Sequence, residues 1–164
     1  MRPNKRIALR GCLMALALVL SYLESLVPVF WAFPGIRLGL ANIVTIFVLY
    51  KMGPVDAGFV TLGRIILNML LFGNVTTLIY SLVGAVFSMT VMILAKPLPH
   101  FSAMGVSILG GTFHNIGQCV AAAFLLKSGS VMSVLTVLLP VGAVAGAVIG
   151  FLAGILIRRI SLDQ

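Results

Sequence analysis

The chain has 164 residues, of which 61% are hydrophobic and only 9% charged, with a mean hydropathy of +1.21. A soluble domain carries roughly 25% charged residues, and a chain this short has too little interior to hide so much apolar surface, so the surplus faces lipid. The net charge of +8 does not mark a nucleic-acid binder, because the basic residues stand at the ends of apolar runs and form no patch with aromatic stacking partners.

A bilayer core of about 30 Å takes about 20 helical residues per crossing. The apolar runs predict six transmembrane helices, at 7–29, 36–52, 55–72, 75–95, 103–126 and 131–157, forming one all-α domain over 1–164. A spanning barrel would need polar residues alternating along each strand, and these runs are continuously apolar. Within the first run, the apolar stretch Cys12 to Leu20 follows Arg2, Lys5, Arg6 and Arg10 as in a signal peptide, but no small-residue cleavage site comes after it, and it is read as a retained helix. Pro28, Pro34 and Gly35 separate the first two runs, Gly53 and Pro54 the next pair, and Gly73 and Asn74 the third and fourth. Lys96, Pro97, Pro99 and His100 end the fourth run, and Ser128, Gly129 and Ser130 end the fifth.

Loop charges set the expected orientation. Arg2, Lys5, Arg6, Arg10, Lys51, Lys96, Arg158 and Arg159 fall on one side of such a bundle, against Arg37 and Lys127 on the other. The excess belongs to the cytoplasm, so both termini are expected inside a plasma membrane, with the loops at 28–36, 73–74 and 127–131 outside. Phe30, Trp31 and Phe33 then lie at the outer interface, where aromatic rings favour the headgroup region, in a short loop able to cover a site.

Polar residues within the spans are few, and each is costly: an ionised group near the bilayer centre costs about 2.5–3.5 kcal/mol on insertion scales. Glu24 near the outer end of helix 1 and Arg64 in helix 3 are the opposite charges placed in the hydrocarbon zone, and pairing would lower the cost of both. Arg64 and Asn68 share a helix face, and His114, Asn115 and Gln118 form a second polar stripe on helix 5. Asn42, Tyr80 and Ser81 lie at comparable depth, with Arg37 just outside. Nearly all these groups map between the midplane and the outer surface, which is the pattern of an outward pocket for a small organic molecule rather than of a channel polar through its full thickness. Glu24, Arg37, Asn42, Arg64, Asn68, His114, Asn115 and Gln118 are therefore the candidate ligand-lining or bracing residues. A purely structural role in helix packing is the competing reading for each.

Small residues mark contact faces. Gly142, Gly146, Gly150 and Gly154 recur every fourth residue in helix 6, a groove suited to close approach of another helix of the same chain or of another subunit. Ala8 with Cys12, and Gly11 with Ala15, give helix 1 two overlapping small pairs. Cys12 and Cys119 have no metal or redox spacing and read as small hydrophobes. The acids are only Glu24, Asp56 and Asp163, too few for a paired-carboxylate or Mg²⁺-diphosphate site, and no phosphate-binding glycine loop is present. The expectation is a non-enzyme without metal or cofactor, whose partners are lipid and a small ligand, and which needs an external energy source for any active transport.

Three segments carry a family resemblance: Pro34-Gly35-Ile36-Arg37-Leu38-Gly39-Leu40-Ala41-Asn42-Ile43-Val44, Arg64 with Leu71-Phe72-Gly73, and His114-Asn115-Ile116-Gly117-Gln118. Together they resemble the Gx transporter family, also labelled heptaprenyl diphosphate synthase component I. That family is similar to the substrate-binding S components of energy-coupling factor transporters. The resemblance implies six helices, capture of a vitamin-like solute from outside, and docking through a small-residue motif of helix 1 on a transmembrane coupling protein driven by ATPases. Here Cys12 or Gly11 stands in place of one alanine of that motif. The synthase label implies instead a noncatalytic membrane subunit of heptaprenyl diphosphate synthase or of quinone metabolism, since prenyl diphosphate synthases use aspartate-rich Mg²⁺ sites. A membrane scaffold in a larger complex is a third reading.

Overall fold

A computed structural model describes residues 3–26 and 39–162. Among these residues the chain is all helical: α1 (Pro3–Ser25), α2 (Ala41–Lys51), α3 (Pro54–Phe72), α4 (Val75–Ala95), α5 (Ala103–Leu126) and α6 (Leu135–Arg159), with a 3₁₀ turn over Gly129–Val134 leading into α6. Five of the helices are long and apolar enough to cross a membrane, and α2 is shorter. The chain is a multi-pass membrane protein.

Helix boundaries follow local chemistry. Pro54 occupies the first turn of α3, where its missing N–H costs nothing. Asn74 caps α4 in a reciprocal box with Thr77, its side chain accepting from the Thr77 N–H while the Thr77 hydroxyl accepts from the Asn74 N–H. Ser102 accepts from the Gly105 N–H at the start of α5. The first helix starts at Pro3, earlier than hydropathy predicts, and Arg6, expected to precede it, lies within it and pairs with Asp56 of α3.

Side-chain contacts fix the relative directions. Arg10 lies over the Phe59 ring, Met14 meets Gly63, and Tyr22 packs on Phe72; this constant offset of 49 to 50 residues makes α1 and α3 parallel neighbours. α5 lies antiparallel between α4 and α6. A Cβ at Gly117 would come 2.8 Å from the Val83 carbonyl oxygen, and one at Gly146 would come 2.6 Å from that of Ser107. Glycine is what lets these backbones touch.

The short α2 is the buried centre. Ala41, Val44, Thr45, Ile46, Phe47, Val48 and Leu49 are all buried, so the helix is apolar all round, as a helix surrounded by other helices must be. It packs against α1, α3 and α6, and the Thr45 and Thr61 hydroxyls bond across to α3 at 3.2 Å. Opposite charges hold its two ends. The Glu24 carboxylate accepts from the Gly39 and Leu40 N–H groups at 2.7 and 3.0 Å, and Lys96 donates from Nζ to the Leu49 carbonyl oxygen at 2.8 Å. An acid at the N-terminus and a base at the C-terminus each complement the helix dipole, by about 0.3–1 kcal/mol. Gly39 makes the entry possible: its φ of +75° is one that L side chains rarely adopt, and a Cβ there would sit 2.8 Å from Asn42 Nδ2.

Candidate functional site

A cavity of about 360 Å³ opens within the bundle, within the size range of small-molecule sites. α1 contributes Ser21 and Glu24, α2 Asn42, and α3 Arg64 and Asn68 one turn apart; α4 adds Ser81 and Ser88, and α5 adds Ser107, His114, Asn115 and Gln118. α6 supplies a smooth wall of Gly142, Ala145 and Gly146. Seven of the eight ligand candidates thus face one hollow, although they come from four different helices. Arg37 lies outside the described residues, as do Phe30, Trp31 and Phe33.

These seven differ in what they do there. Both oxygens of Glu24 are committed to the α2 N-terminus, and Arg64 donates from Nη1 to the Ser21 hydroxyl at 3.2 Å. The ion pair expected between Glu24 and Arg64 is therefore replaced by two separate arrangements, because the backbone N–H groups of α2 offer Glu24 a partner that the sequence does not show. Glu24 thus caps the α2 N-terminus while also lining the hollow. By the register between α1 and α3, Arg64 stands near the level of Met14 and Ala15, so its bond to Ser21 carries the guanidinium away from the end of the bundle that holds the chain termini.

Asn115 is a brace. Its Nδ2 donates to the Leu138 carbonyl oxygen at 2.7 Å, tying α5 to α6, and Gly142 leaves the space, since a Cβ there would meet Nδ2 at 2.6 Å. His114 lies against Gly84 of α4, where a Cβ would be 2.9 Å from the imidazole. Among the described residues the side-chain amides of Asn42, Asn68 and Gln118 make no hydrogen bond, so each turns two donors and an acceptor toward the hollow.

The polar lining runs further toward the end that carries the chain termini than the sequence reading expected. Ser88 and Met92 lie in the second half of α4, and Ser107 and Gly110 in the first half of α5, all on the cavity wall toward the end that carries the chain termini. From Gln118 to Ser107 the hollow covers about 16 Å along α5 at 1.5 Å per residue. Serines in apolar helices are weak sequence signals, because a hydroxyl can bond back to its own helix.

Asp56 is the second feature that sequence reasoning missed. Fully buried, it accepts from Arg6 Nε at 3.1 Å and from Nη2 at 2.5 Å, and it also pairs with Arg10 Nε. The usable signal was that Arg6 and Arg10 share a face of α1 and that Asp56 is one of the few acids and falls near the same end of the bundle. The cluster does not line the cavity.

The small-residue faces divide in the same way. Gly142, Gly146 and Gly150 lie on the α5 backbone, whereas a Cβ at Gly154 would meet nothing within 4 Å. Ala8, Gly11, Cys12 and Ala15 of α1 are all exposed.

Comparison with curated proteins and with solved structures finds no match. The family model described as heptaprenyl diphosphate synthase component I matches residues 13–156, a stretch that contains every described cavity residue. The chain belongs to the heptaprenyl diphosphate synthase component I family.

Proposed function

We propose that this protein is the solute-binding membrane subunit of an uptake system for a small, polar organic molecule, with six crossings of the plasma membrane and both termini in the cytoplasm. The observation that carries the reading is the convergence of Arg64, Asn42, Asn68, His114 and Gln118 on one 360 Å³ hollow. Placing such groups among apolar helices costs several kcal/mol in total, and a bound solute with matching donors and acceptors offsets that cost. Arg64 is the cation among the described cavity residues, and it meets an anionic or carbonyl group; the amides orient the rest of the molecule. The protein binds and does not catalyse.

Docking on a coupling module fits the exposed Ala8, Gly11, Cys12 and Ala15 face of α1, which permits close approach of a partner helix. The test is Arg64→Ala. It should insert into membranes as the parent does while losing solute binding at least tenfold, about 1.4 kcal/mol; retained affinity would reduce Arg64 to a structural role.

The family description favours a second reading, a noncatalytic membrane subunit that associates with a soluble heptaprenyl diphosphate synthase. That reading predicts that the purified chain binds the soluble prenyltransferase and changes the length of its product. No association, or no effect on product, removes it.

A further inference from the structure

The floor of the cavity holds a polar group with no partner. Ser107 is 2% exposed and lines the hollow, yet its Oγ makes no hydrogen bond among the described residues. A buried hydroxyl left unsatisfied is costly, so such a group calls for a bound molecule. It lies about 16 Å along α5 from Gln118. Ser88 of α4 adds a second buried hydroxyl between these levels, and glycines 110, 111 and 146 keep the walls flat and narrow. An isoprenoid would bring only C–H groups to this floor and leave both serines unanswered.

We infer that the cavity takes a slender, rod-shaped organic anion whose far end carries a hydrogen-bonding group, and that Ser107 reads that end. The inference rests on the solute-binding reading above and adds the ligand's shape and polarity. The anionic head lies on the Arg64 side, the body runs between the glycine wall of α6 and the serines of α4, and the far heteroatom meets Ser107 Oγ. Ser107 is thus a specificity-determining residue: it rejects isosteres that lack the polar end, because they would leave its hydroxyl unpaired in a dry site.

The probes are two two-ring rods of equal shape, 4'-hydroxybiphenyl-4-carboxylate and 4'-methylbiphenyl-4-carboxylate, with geranyl diphosphate as an anion bearing an apolar tail. Each is titrated calorimetrically into the full chain in lipid nanodiscs, and native mass spectrometry records any molecule that copurifies. The wild-type protein should prefer the hydroxyl rod to the methyl rod at least tenfold, and geranyl diphosphate should not compete. In Ser107→Ala the preference should fall below about twofold, while the ligand-free protein melts no lower than wild type, since the substitution removes an unsatisfied group. Ser107→Cys, a weaker hydrogen-bonding group, should lie between them.

Equal affinity of the two rods for wild type, an undiminished preference in Ser107→Ala, or tighter binding of geranyl diphosphate overturns the inference and leaves the solute-binding reading standing. A copurifying molecule that neither rod displaces does the same. No saturable binding together with no copurifying molecule removes both.

Discussion

Asp56 shows how one buried acid holds two cations at the edge of an apolar bundle. Its carboxylate is fully enclosed, while the Arg6 and Arg10 side chains remain 46% and 24% exposed. Truncating the buried member leaves two guanidinium groups facing an empty hole, whereas removing one arginine leaves the acid still paired. Asp56→Ala should therefore lower the melting temperature of the purified protein by roughly 5 °C or more, and Arg10→Met by clearly less. Equal effects would mean that the two arginines act as one unit. Glu24 follows similar logic at the other end of α1. Glu24→Gln keeps an oxygen for the Gly39 and Leu40 N–H groups and should be mild, while Glu24→Ala removes the cap and should cost about 1–2 kcal/mol in a denaturation series. The Glu24 cap was not legible in the sequence, because it depends on which backbone another helix brings near, and the Asp56 cluster left only the shared face of Arg6 and Arg10 as a signal. The cavity residues Asn42, Arg64, Asn68, His114 and Gln118 were legible, because a polar group in an apolar run must face the interior wherever the neighbouring helices lie.

The helix ends and helix seams were legible at the scale of the element for the same reason. Proline, glycine and polar breaks locate the described α3, α4 and α5 within a residue of expectation. The start of α1 was misplaced, because a count of apolar residues cannot see that Arg6 is neutralised by Asp56. The glycine seam between α5 and α6 makes a sharp contrast available. A Cβ at Gly146 meets α5 backbone atoms at 2.6 and 2.7 Å, and backbone cannot move aside as a flexible side chain can. Gly146→Ala should separate the two helices and destabilise the protein by about 1–3 kcal/mol, whereas Gly154→Ala, which meets nothing within 4 Å, should be neutral or slightly stabilising. Comparing the melting temperatures of the two variants checks this, and a similar loss in both would argue against the seam. Gly84→Ala belongs with them, since a Cβ there pushes on the His114 ring and should weaken solute binding more than it weakens the fold.

At the scale of the whole molecule, the five long apolar helices place the protein in a membrane, and together with α2 they line one hollow. The depth of that hollow was the part least legible in advance. The lining away from the chain termini consists of amides and charges that stand out in an apolar sequence, but the floor is built from Ser88, Met92, Ser107 and Gly110, which ordinary helix packing also uses. Orientation has a direct check: cytoplasm-dependent reporters fused at either terminus should be active, and the same reporter inserted at Gly129 should be silent. The central claim is that the hollow holds a small solute. Native mass spectrometry of the wild-type protein from lipid nanodiscs, beside a double variant carrying Asn68→Leu and Gln118→Leu, tests it most directly. The account predicts a discrete bound mass on the wild type that is absent from the variant; a wild-type spectrum showing nothing beyond lipid, or the same bound mass on both proteins, would contradict it.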